Sequence, residues 1–334
     1  MHTPNTLFSN LAPFAERLKI TANDVIMMAS PMAHQTGFMY GLLLPLMLGA
    51  RSVLMDSWNK TLAAKLVESE GVTWTMASTP FLMDLTSAVE EEGTDSSTLR
   101  IFLCAGTVIP GPVVERAQKV LGARVISAWG MSENGAVTTV RLEDPDDMSA
   151  KSDGIPLPGV ELQIRDADGA PVSTGTEGDI YLRACSNFGG YLKRPDLNGM
   201  DEDGWFETGD RGRVDENGFL RVCGRSKDII IRGAENIPVI EVEAEIYKHP
   251  AVAMVAVVGY PDERLGERAC AVITPKPGQT LTLEEIQAFL KDRGVTKQYW
   301  PERLELRDTL PMTASGKIQK FALREELRGG EEKA

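Results

Sequence analysis

Residues 124–133 read Arg-Val-Ile-Ser-Ala-Trp-Gly-Met-Ser-Glu, a β-branched, apolar start that gives way to glycine, serine and glutamate. Val125 and Ile126 are residue types that pack well in a buried strand. We therefore predict a strand over residues 124–127 and place segment 128–133 directly after it. Polar residues in this position are typical of a strand that ends at the ligand-binding edge of a sheet.

Similar apolar runs precede this stretch and alternate with helical patterns at residues 61–70 and 111–121. Regular alternation of strands and helices predicts an α/β fold, in which helices cover both faces of a mainly parallel sheet. Ligands bind such sheets at the carboxyl ends of the strands, so we expect a site just after Ala77, Cys104 and Ala128. The other predicted strands span residues 25–28, 52–55, 73–76 and 99–103.

The pattern changes near residue 152, where turn residues separate short strands such as 161–164 and 178–183. This change indicates a small, antiparallel, barrel-like subdomain. We predict three parts: an α/β subdomain over 1–150, a β-barrel-like subdomain over 151–225 and a small, mobile α+β C-terminal domain over 226–334. In the last part, the predicted helices span 238–248, 283–293 and 318–327, and the predicted strands span 251–258 and 269–273.

The 334-residue chain carries a formal net charge of −13, which repels nucleic-acid backbones and anionic lipid surfaces. We therefore expect neither nucleic acid nor membrane among its partners. The most apolar stretch, residues 38–50, is shorter than the roughly 20 residues of a membrane span, so it predicts a buried helix. Four separated cysteines without a CxxC pair, and a start without a signal-peptide pattern, favour a reducing, cytoplasmic compartment. Composition leaves a monomer and a homodimer open.

Segment 128–133 contains three residues whose chemistry suits a nucleotide site. Gly130 permits close approach of a ligand to the backbone, Ser132 offers a hydroxyl, and Glu133 offers an oxygen ligand for magnesium. Taken alone, the segment fits an ordinary turn followed by an N-capped helix better, because short motifs recur by chance.

Segments 203–210 and 224–236 carry two further candidates. Asp210 follows Thr208-Gly209, and a carboxylate on a tight turn can accept both hydroxyls of a ribose. The same carboxylate fits equally well as a group that stabilises a hairpin turn. Arg225 can pair with phosphate or ribose oxygens, or it can belong to a solvated charge cluster in a linker.

Segments 310–317 and 31–38 are each weak signals on their own. The first is a glycine-containing turn, predicted to be flexible, that ends in Lys317, a point charge suited to a carboxylate or a phosphate. By itself it is more typical of a surface loop. The second contains His34, which alone is more often a structural histidine than a catalytic one.

The order and spacing of these five segments together resemble the adenylate-forming superfamily of acyl-CoA synthetases, luciferases and peptide-synthetase adenylation domains. The resemblance extends to about Leu327. Residues 104–110 (Cys-Ala-Gly-Thr-Val-Ile-Pro) and 263–268 (Glu-Arg-Leu-Gly-Glu-Arg) look most similar to medium-chain acyl-CoA and cyclohexanecarboxylate-CoA ligases. The resemblance implies a ligase that joins a medium-chain fatty or alicyclic acid to coenzyme A through acyl-AMP, with ATP and Mg²⁺.

The resemblance also implies individual roles. Lys317 would bridge the carboxylate and the α-phosphate, Ser132 would contact the α-phosphate, and Glu133 would bind magnesium. His34 would gate the acyl pocket, and Gly233 would line the pantetheine tunnel. Asp210 would hold the ribose, Arg225 would contact ribose or phosphate, and Lys227 would be the hinge of the small domain. The remaining implied nucleotide contacts are Ala105, Gly106, Thr107, Trp129, Gly130 and Met131.

One feature of the superfamily has no counterpart in this sequence. The Ser/Thr/Gly-rich phosphate loop, which ends in Pro-Lys-Gly, would lie just before a segment like Met1-His2-Thr3. We therefore expect an N-terminally truncated ligase whose activity is impaired. Two alternatives are a non-catalytic fragment and an adenylation domain that loads a carrier protein. The second is disfavoured because residues 33–38 contain no acidic residue to pair with an amino acid's ammonium.

Overall fold

The computed structural model describes residues 1–106, 109–225, 229–232 and 235–331. For residues 235, 236 and 329–331 it describes the backbone alone. A seven-stranded sheet has the order β2-β1-β3-β4-β5-β6-β7. The first five strands in this order pair in parallel, whereas β6 and β7 are antiparallel. The strands are β1 (Val25–Met28), β2 (Arg51–Leu54), β3 (Trp74–Ala77), β4 (Ile101–Ala105), β5 (Arg124–Met131), β6 (Gly135–Thr139) and β7 (Ile155–Pro156).

Helices cover both faces of this sheet, as the sequence predicts. Val125 and Ile126 are both buried but belong to two different core clusters, because neighbouring residues of a strand point to opposite faces. One cluster includes residues of α3 (Lys60–Glu70), α4 (Thr79–Glu92) and α5 (Gly111–Leu121). The other includes residues of α1 (Pro4–Arg17), a π-helix (Gly37–Leu43) and α2 (Leu44–Leu48). A further helix, α6 (Met148–Lys151), is a single turn.

A second sheet contains β8 (Val160–Arg165), β9 (Gly178–Ala184), β10 (Phe206–Val214) and β11 (Leu220–Arg225). Its order is β11-β10-β9-β8, and β8 pairs with β9 in antiparallel register. Ile164, Ile180 and Leu220 of this sheet share a core cluster with Trp129 and Val137 of the first sheet. Since β8 and β11 lie at the two ends of the order, closure into the expected barrel is not confirmed.

The third sheet has the order β13-β12-β15-β14, and β16 pairs in parallel with β15. Its strands are β12 (Ile230–Arg232), β13 (Glu235–Ile237), β14 (Val252–Asp262), β15 (Gly266–Pro275) and β16 (Arg303–Leu306). One core cluster joins it to α7 (Val239–Ile246) and α8 (Leu283–Asp292), and another to α9 (Lys320–Glu331). The described ranges also contain two 3₁₀ turns, Pro195–Leu197 and Lys297–Tyr299. The α+β character predicted for this part is confirmed.

The described chain separates into two compact units. The first contains Met1–Thr208, Gly212–Val222 and Ala314–Gly316, and the second contains Gly209–Arg211, Cys223–Thr313 and the described residues from Lys317 onward. The predicted three-part division at residues 150 and 225 stays a prediction.

The apolar stretch at residues 38–50 is only partly buried. Phe38, Leu42 and Leu46 are 38%, 37% and 70% exposed, and their spacing of four residues places them on one side of the helical segment. The neighbouring Met39 and Tyr40 are each 1% exposed. The prediction of a buried helix was therefore right for one side of the segment and wrong for the other. Among the described residues, no helix combines the length and apolar character needed to cross a membrane.

Candidate active site

Segment 128–133 lies in a β-hairpin and not in a turn followed by a helix. Strand β5 continues to Met131, four residues beyond the predicted end, and β6 begins at Gly135. The Met131 N–H donates to Asn134 Oδ1 at 3.2 Å, and the Asn134 N–H donates to the Met131 carbonyl at 3.2 Å. This tight turn leaves Ser132 exposed and Glu133 half-buried at the end of the sheet.

Gly130 is required by the hairpin itself. A Cβ atom at residue 130 would lie 1.9 Å from the Gly135 carbonyl oxygen and 2.7 Å from Ala136 Cα, and the strand pairing is irregular between Trp129 and Gly130. These neighbours are backbone atoms, so they cannot rotate away as a side chain can. The structure thus supplies a packing reason for this glycine beside the close ligand approach expected from the sequence.

A buried polar network supports the β6 side of the hairpin. Tyr40 Oη accepts the Ala136 N–H at 2.7 Å and donates to Asn10 Oδ1 at 2.7 Å. Asn10 Nδ2 in turn donates to the Ala136 carbonyl at 2.8 Å. Complete burial raises the pKa of Tyr40 well above its usual value, so this hydroxyl stays protonated. Helix α1 and the π-helix thereby hold the backbone that follows Glu133.

The Glu133 carboxylate is held by a tyrosine that the sequence analysis did not single out. Tyr191 Oη donates to Glu133 Oε1 at 2.5 Å, and the Phe188 N–H donates to the Glu133 carbonyl at 2.7 Å. Burial, followed by the hydrogen bond and charge of Glu133, raises the pKa of Tyr191 to about 12. The phenol is therefore a donor at neutral pH. Because the two residues lie 58 positions apart, no local pattern connects them.

The donor chemistry of Glu133 fits magnesium. Within the described part of the chain, a hydrogen bond reaches Oε1 and none reaches Oε2. Carboxylate oxygen is a ligand that Mg²⁺ prefers, and Mg²⁺ is commonly held by one or two carboxylates together with substrate phosphates. No group of three or more His, Cys, Asp or Glu side chains arranged for a metal occurs in the described ranges. A magnesium ion at Glu133 would take its other ligands from substrate phosphates or water, as such ions commonly do.

The residues at the start of the chain contact the Glu133 turn and the segment that carries Tyr191. His2 Nε2 donates to the Ser132 carbonyl at 2.8 Å. The Gly189 N–H donates to the Met1 carbonyl at 2.7 Å, and the Met1 ammonium donates to the Gly190 carbonyl at 2.7 Å. These contacts join the hairpin turn, helix α1 and segment 188–191 into one substructure.

A second group of predicted residues comes together around Asp210. Asp210 is 7% exposed, and its Oδ1 lies 3.3 Å from Nε of Arg225. Burial lowers the pKa of Lys317, the positive charge of Arg225 lowers it further, and the negative charge of Asp210 opposes the shift. Two cations and one carboxylate therefore share one neighbourhood within the second unit. Such a cluster can accept ribose hydroxyls and neutralise phosphate charge.

Two details of this cluster differ from expectation. Thr208 and Gly209 lie inside strand β10 and not on a hairpin turn. Gly209 has a positive φ of 73°, but the chain keeps its direction through this residue. Segment 313–317 forms a defined turn: the Thr313 N–H donates to the Lys317 carbonyl at 2.8 Å, and the Lys317 N–H donates to Thr313 Oγ1 at 3.0 Å. The backbone of Lys317 is therefore fixed by hydrogen bonds.

The second unit also has an open cavity of about 350 Å³ that the sequence analysis did not predict. Arg232 lies in its wall and forms an ion pair with Glu302, with 2.5 Å between Nη2 and Oε1. Arg232 Nη1 also donates a hydrogen bond to the Gln298 carbonyl at 2.8 Å. The other lining residues are Gln287, Lys297 and Trp300.

Comparison with known proteins adds to this geometry. Residues 1–192 match the AMP-binding enzyme family, and residues 241–317 match the C-terminal domain of AMP-binding enzymes. The chain belongs to the AMP-binding enzyme family. Ser132, Glu133 and Tyr191 lie in the first matched region, and Lys317 is the last residue of the second.

Named relatives agree with this assignment. The chain is 39% identical over 330 residues to the medium-chain fatty-acid–CoA ligase of Escherichia coli K12, covering 98% of this chain and 58% of that protein. It is 34% identical to the 2,3-dihydroxybenzoate-AMP ligase of Bacillus subtilis, covering 91% and 57% of the two chains. ATP-bound MatB from Rhodopseudomonas palustris has a similar structure, with a TM-score of 0.90, 26% identity and coverage of 98% and 64%. The chain thus spans less than two thirds of the length of these family members.

The remaining predicted site residues fall in three groups. His34 is half-buried, and its Nδ1 accepts the Thr36 N–H at 3.2 Å. Ala105 ends β4, Gly106 follows with a φ of 90°, and the Trp129 side chain packs in the core between the first two sheets. The role of His34 at the acyl pocket stays a prediction, and so do the nucleotide-binding roles of Ala105, Gly106, Trp129 and Met131. Thr107, Lys227 and Gly233 lie outside the described residues.

Proposed function

We propose that this chain carries catalytic groups of an ATP-dependent ligase that joins a medium-chain fatty or alicyclic carboxylic acid to coenzyme A through an acyl-adenylate. The observation that carries the proposal is the half-buried Lys317, whose backbone is hydrogen-bonded to Thr313 and whose ammonium interacts with the charges of the Asp210–Arg225 ion pair. The medium-chain fatty-acid–CoA ligase of Escherichia coli, at 39% identity, supports an acyl-CoA ligase more than the 2,3-dihydroxybenzoate-AMP ligase, at 34%, supports an aryl-acid ligase.

Each polar group would act at a defined point of the first reaction. An oxygen of the acid attacks the α-phosphate of ATP, the bond to pyrophosphate breaks, and acyl-AMP remains. Lys317 would bind both the acid and the α-phosphate, while Asp210 would accept the ribose hydroxyls. A magnesium ion, when bound by Glu133, would neutralise phosphate charge. Fixed charges around a transferring phosphoryl group lower the barrier because that group carries spread negative charge.

In the second reaction, the thiol of coenzyme A attacks the acyl carbonyl, and AMP leaves with the electron pair of the broken carbon–oxygen bond. We propose that Gly233 lines the path of the pantetheine arm, as the family resemblance implies. Arg232 precedes Gly233 in sequence and lines the cavity together with Lys297 and with Glu302, its ion-pair partner. The two cations exceed the one carboxylate, and a net positive lining favours a phosphorylated substrate.

We expect a preference for medium-sized apolar acids over acetate and amino acids, measured as kcat/KM in an enzyme that includes this chain together with a phosphate loop. Each methylene buried on binding contributes about 0.8 kcal/mol, or roughly fourfold, until the cavity is full. Straight-chain and alicyclic acids should therefore lead the panel. A preference for acetate or for any free amino acid would contradict this substrate class, and a preference for dihydroxybenzoate would favour an aryl-acid ligase.

The 334 residues alone should bind ATP or AMP weakly and show no sustained turnover, because the sequence contains no Ser/Thr/Gly-rich loop whose amides could hold the β- and γ-phosphates. Pyrophosphate release by the purified chain, measured with and without coenzyme A, tests this. The same assay on the chain fused to a phosphate-loop region is the positive control. Robust thioester synthesis by the monodisperse chain would refute the expected impairment, and an inactive fusion would favour a non-catalytic fragment.

A further inference from the structure

Tyr191 and Glu133 make the hydrogen bond on which this inference rests. The distance of 2.5 Å from Tyr191 Oη to Glu133 Oε1 lies at the short end of the roughly 2.5–2.7 Å range of a hydroxyl that donates to a carboxylate. Ordering a glutamate side chain costs rotamer freedom, and this cost opposes binding. A donor that orders it before a ligand arrives removes much of that cost from binding.

The position of the tyrosine ring is itself fixed. Its backbone N–H donates to Asn198 Oδ1 at 2.9 Å, and its ring packs edge-on against Phe188 with centroids 4.7 Å apart. Gly190 adopts a φ of 104°, and a Cβ there would lie 2.7 Å from the Asn198 side chain. The hydroxyl is therefore held in place by the surrounding structure and not by the carboxylate alone.

The hydroxyl is not needed to dock segment 188–191 on the hairpin. The bond from the Phe188 N–H to the Glu133 carbonyl already does so directly. The contacts of Met1 with Gly189 and Gly190 add a second connection, because the next residue, His2, donates to the Ser132 carbonyl. The side-chain bond engages one carboxylate oxygen and leaves the other for a different ligand. Hydrogen bonds of this kind orient metal-binding carboxylates in metalloproteins.

We propose that Tyr191 is a positioning residue, which orients the Glu133 carboxylate so that its second oxygen can bind a divalent cation held together with nucleotide phosphates. The inference rests on the proposed function, because it takes Glu133 as the metal ligand. The effect of Tyr191 passes through the Glu133 carboxylate.

The test uses the full chain with the Mn²⁺·ATP complex as a paramagnetic probe. The NMR signal of the ¹³C-labelled methyl group of Met131, two residues before Glu133, is recorded at increasing probe concentration. Its broadening detects weak binding and does not require turnover. Tyr191→Phe removes only the hydroxyl and should raise the half-saturating concentration about 10- to 100-fold. Tyr181→Phe, the same change at a half-buried tyrosine of β9, should match the parent chain.

Two further variants separate the explanations. Glu133→Gln should abolish saturable broadening; if it does not, Glu133 is not the metal ligand and the proposed site fails with the inference. If Glu133→Gln abolishes binding but Tyr191→Phe leaves it unchanged, the inference alone is wrong. Asn198→Ala loosens the segment but keeps the hydroxyl. If it weakens binding as much as Tyr191→Phe at an equal loss in melting temperature, Tyr191 has only a structural role.

Discussion

Lys317→Ala should slow acyl-adenylate formation by about two to three orders of magnitude in an enzyme that contains this chain and a phosphate loop. The variant removes a cation from a transferring phosphoryl group, where loss of one positioned donor has an effect of this size. Asp210 and Arg225 remain, but neither can replace a charge that bridges acid and phosphate. Thioester formation from preformed acyl-AMP should continue near the unmodified rate, because that step no longer involves the α-phosphate transfer.

Gly233→Leu should have the opposite effect on the two steps. It should obstruct the pantetheine path and slow thioester formation while leaving adenylation intact. Lys291→Ala, at an exposed lysine in the last turn of α8, is the control for loss of a positive charge. Single-turnover kinetics, with pyrophosphate and thioester followed separately, measures the two steps. Equal slowing of both steps by Lys317→Ala and by Gly233→Leu would show that these residues do not divide the reaction between them.

Gly130→Ala should destabilise the chain by more than about 3 kcal/mol, the upper end for an overpacked site. The new methyl group would lie 1.9 Å from the Gly135 carbonyl oxygen, so the β5–β6 pairing must open to admit it. Because Gly130 is followed so closely by Ser132 and Glu133, the same change should displace the candidate magnesium ligand. Urea unfolding of the purified variants, followed by tryptophan fluorescence, measures the free energy.

Gly111→Ala is the matched control for this variant. Gly111 begins α5 with an unstrained φ, and a methyl group at this position would meet nothing closer than Ala150 Cβ at 3.8 Å. Alanine favours helix over glycine by up to about 1 kcal/mol, so this variant should be neutral or slightly more stable. Similar free energies of unfolding for the two variants would show that the hairpin can accommodate a side chain at residue 130.

Much of the first sheet could be predicted because its signal is local. The strand predicted at residues 25–28 coincides with β1, and helix α5 has the bounds expected from its periodicity. The strand at residue 124 was predicted four residues too short, since Gly130 interrupts the apolar pattern although it continues the pairing. Strands β6 and β7 were not anticipated, because their antiparallel pairing depends on the turn at Asn134, which the sequence analysis did not recognise.

Local residue order alone determined that this protein has an α/β core, an α+β end and five segments typical of adenylate-forming enzymes. These features are encoded in short windows, where burial follows hydrophobic periodicity. Only the tertiary structure decided which polar groups meet: Tyr191 with Glu133, Asn10 with Tyr40, and Asp210 with Arg225 near Lys317. Side-chain hydrogen bonds and ion pairs act within a few ångströms, so residues far apart in sequence find their partners only once packing of the sheets has brought the backbone segments together.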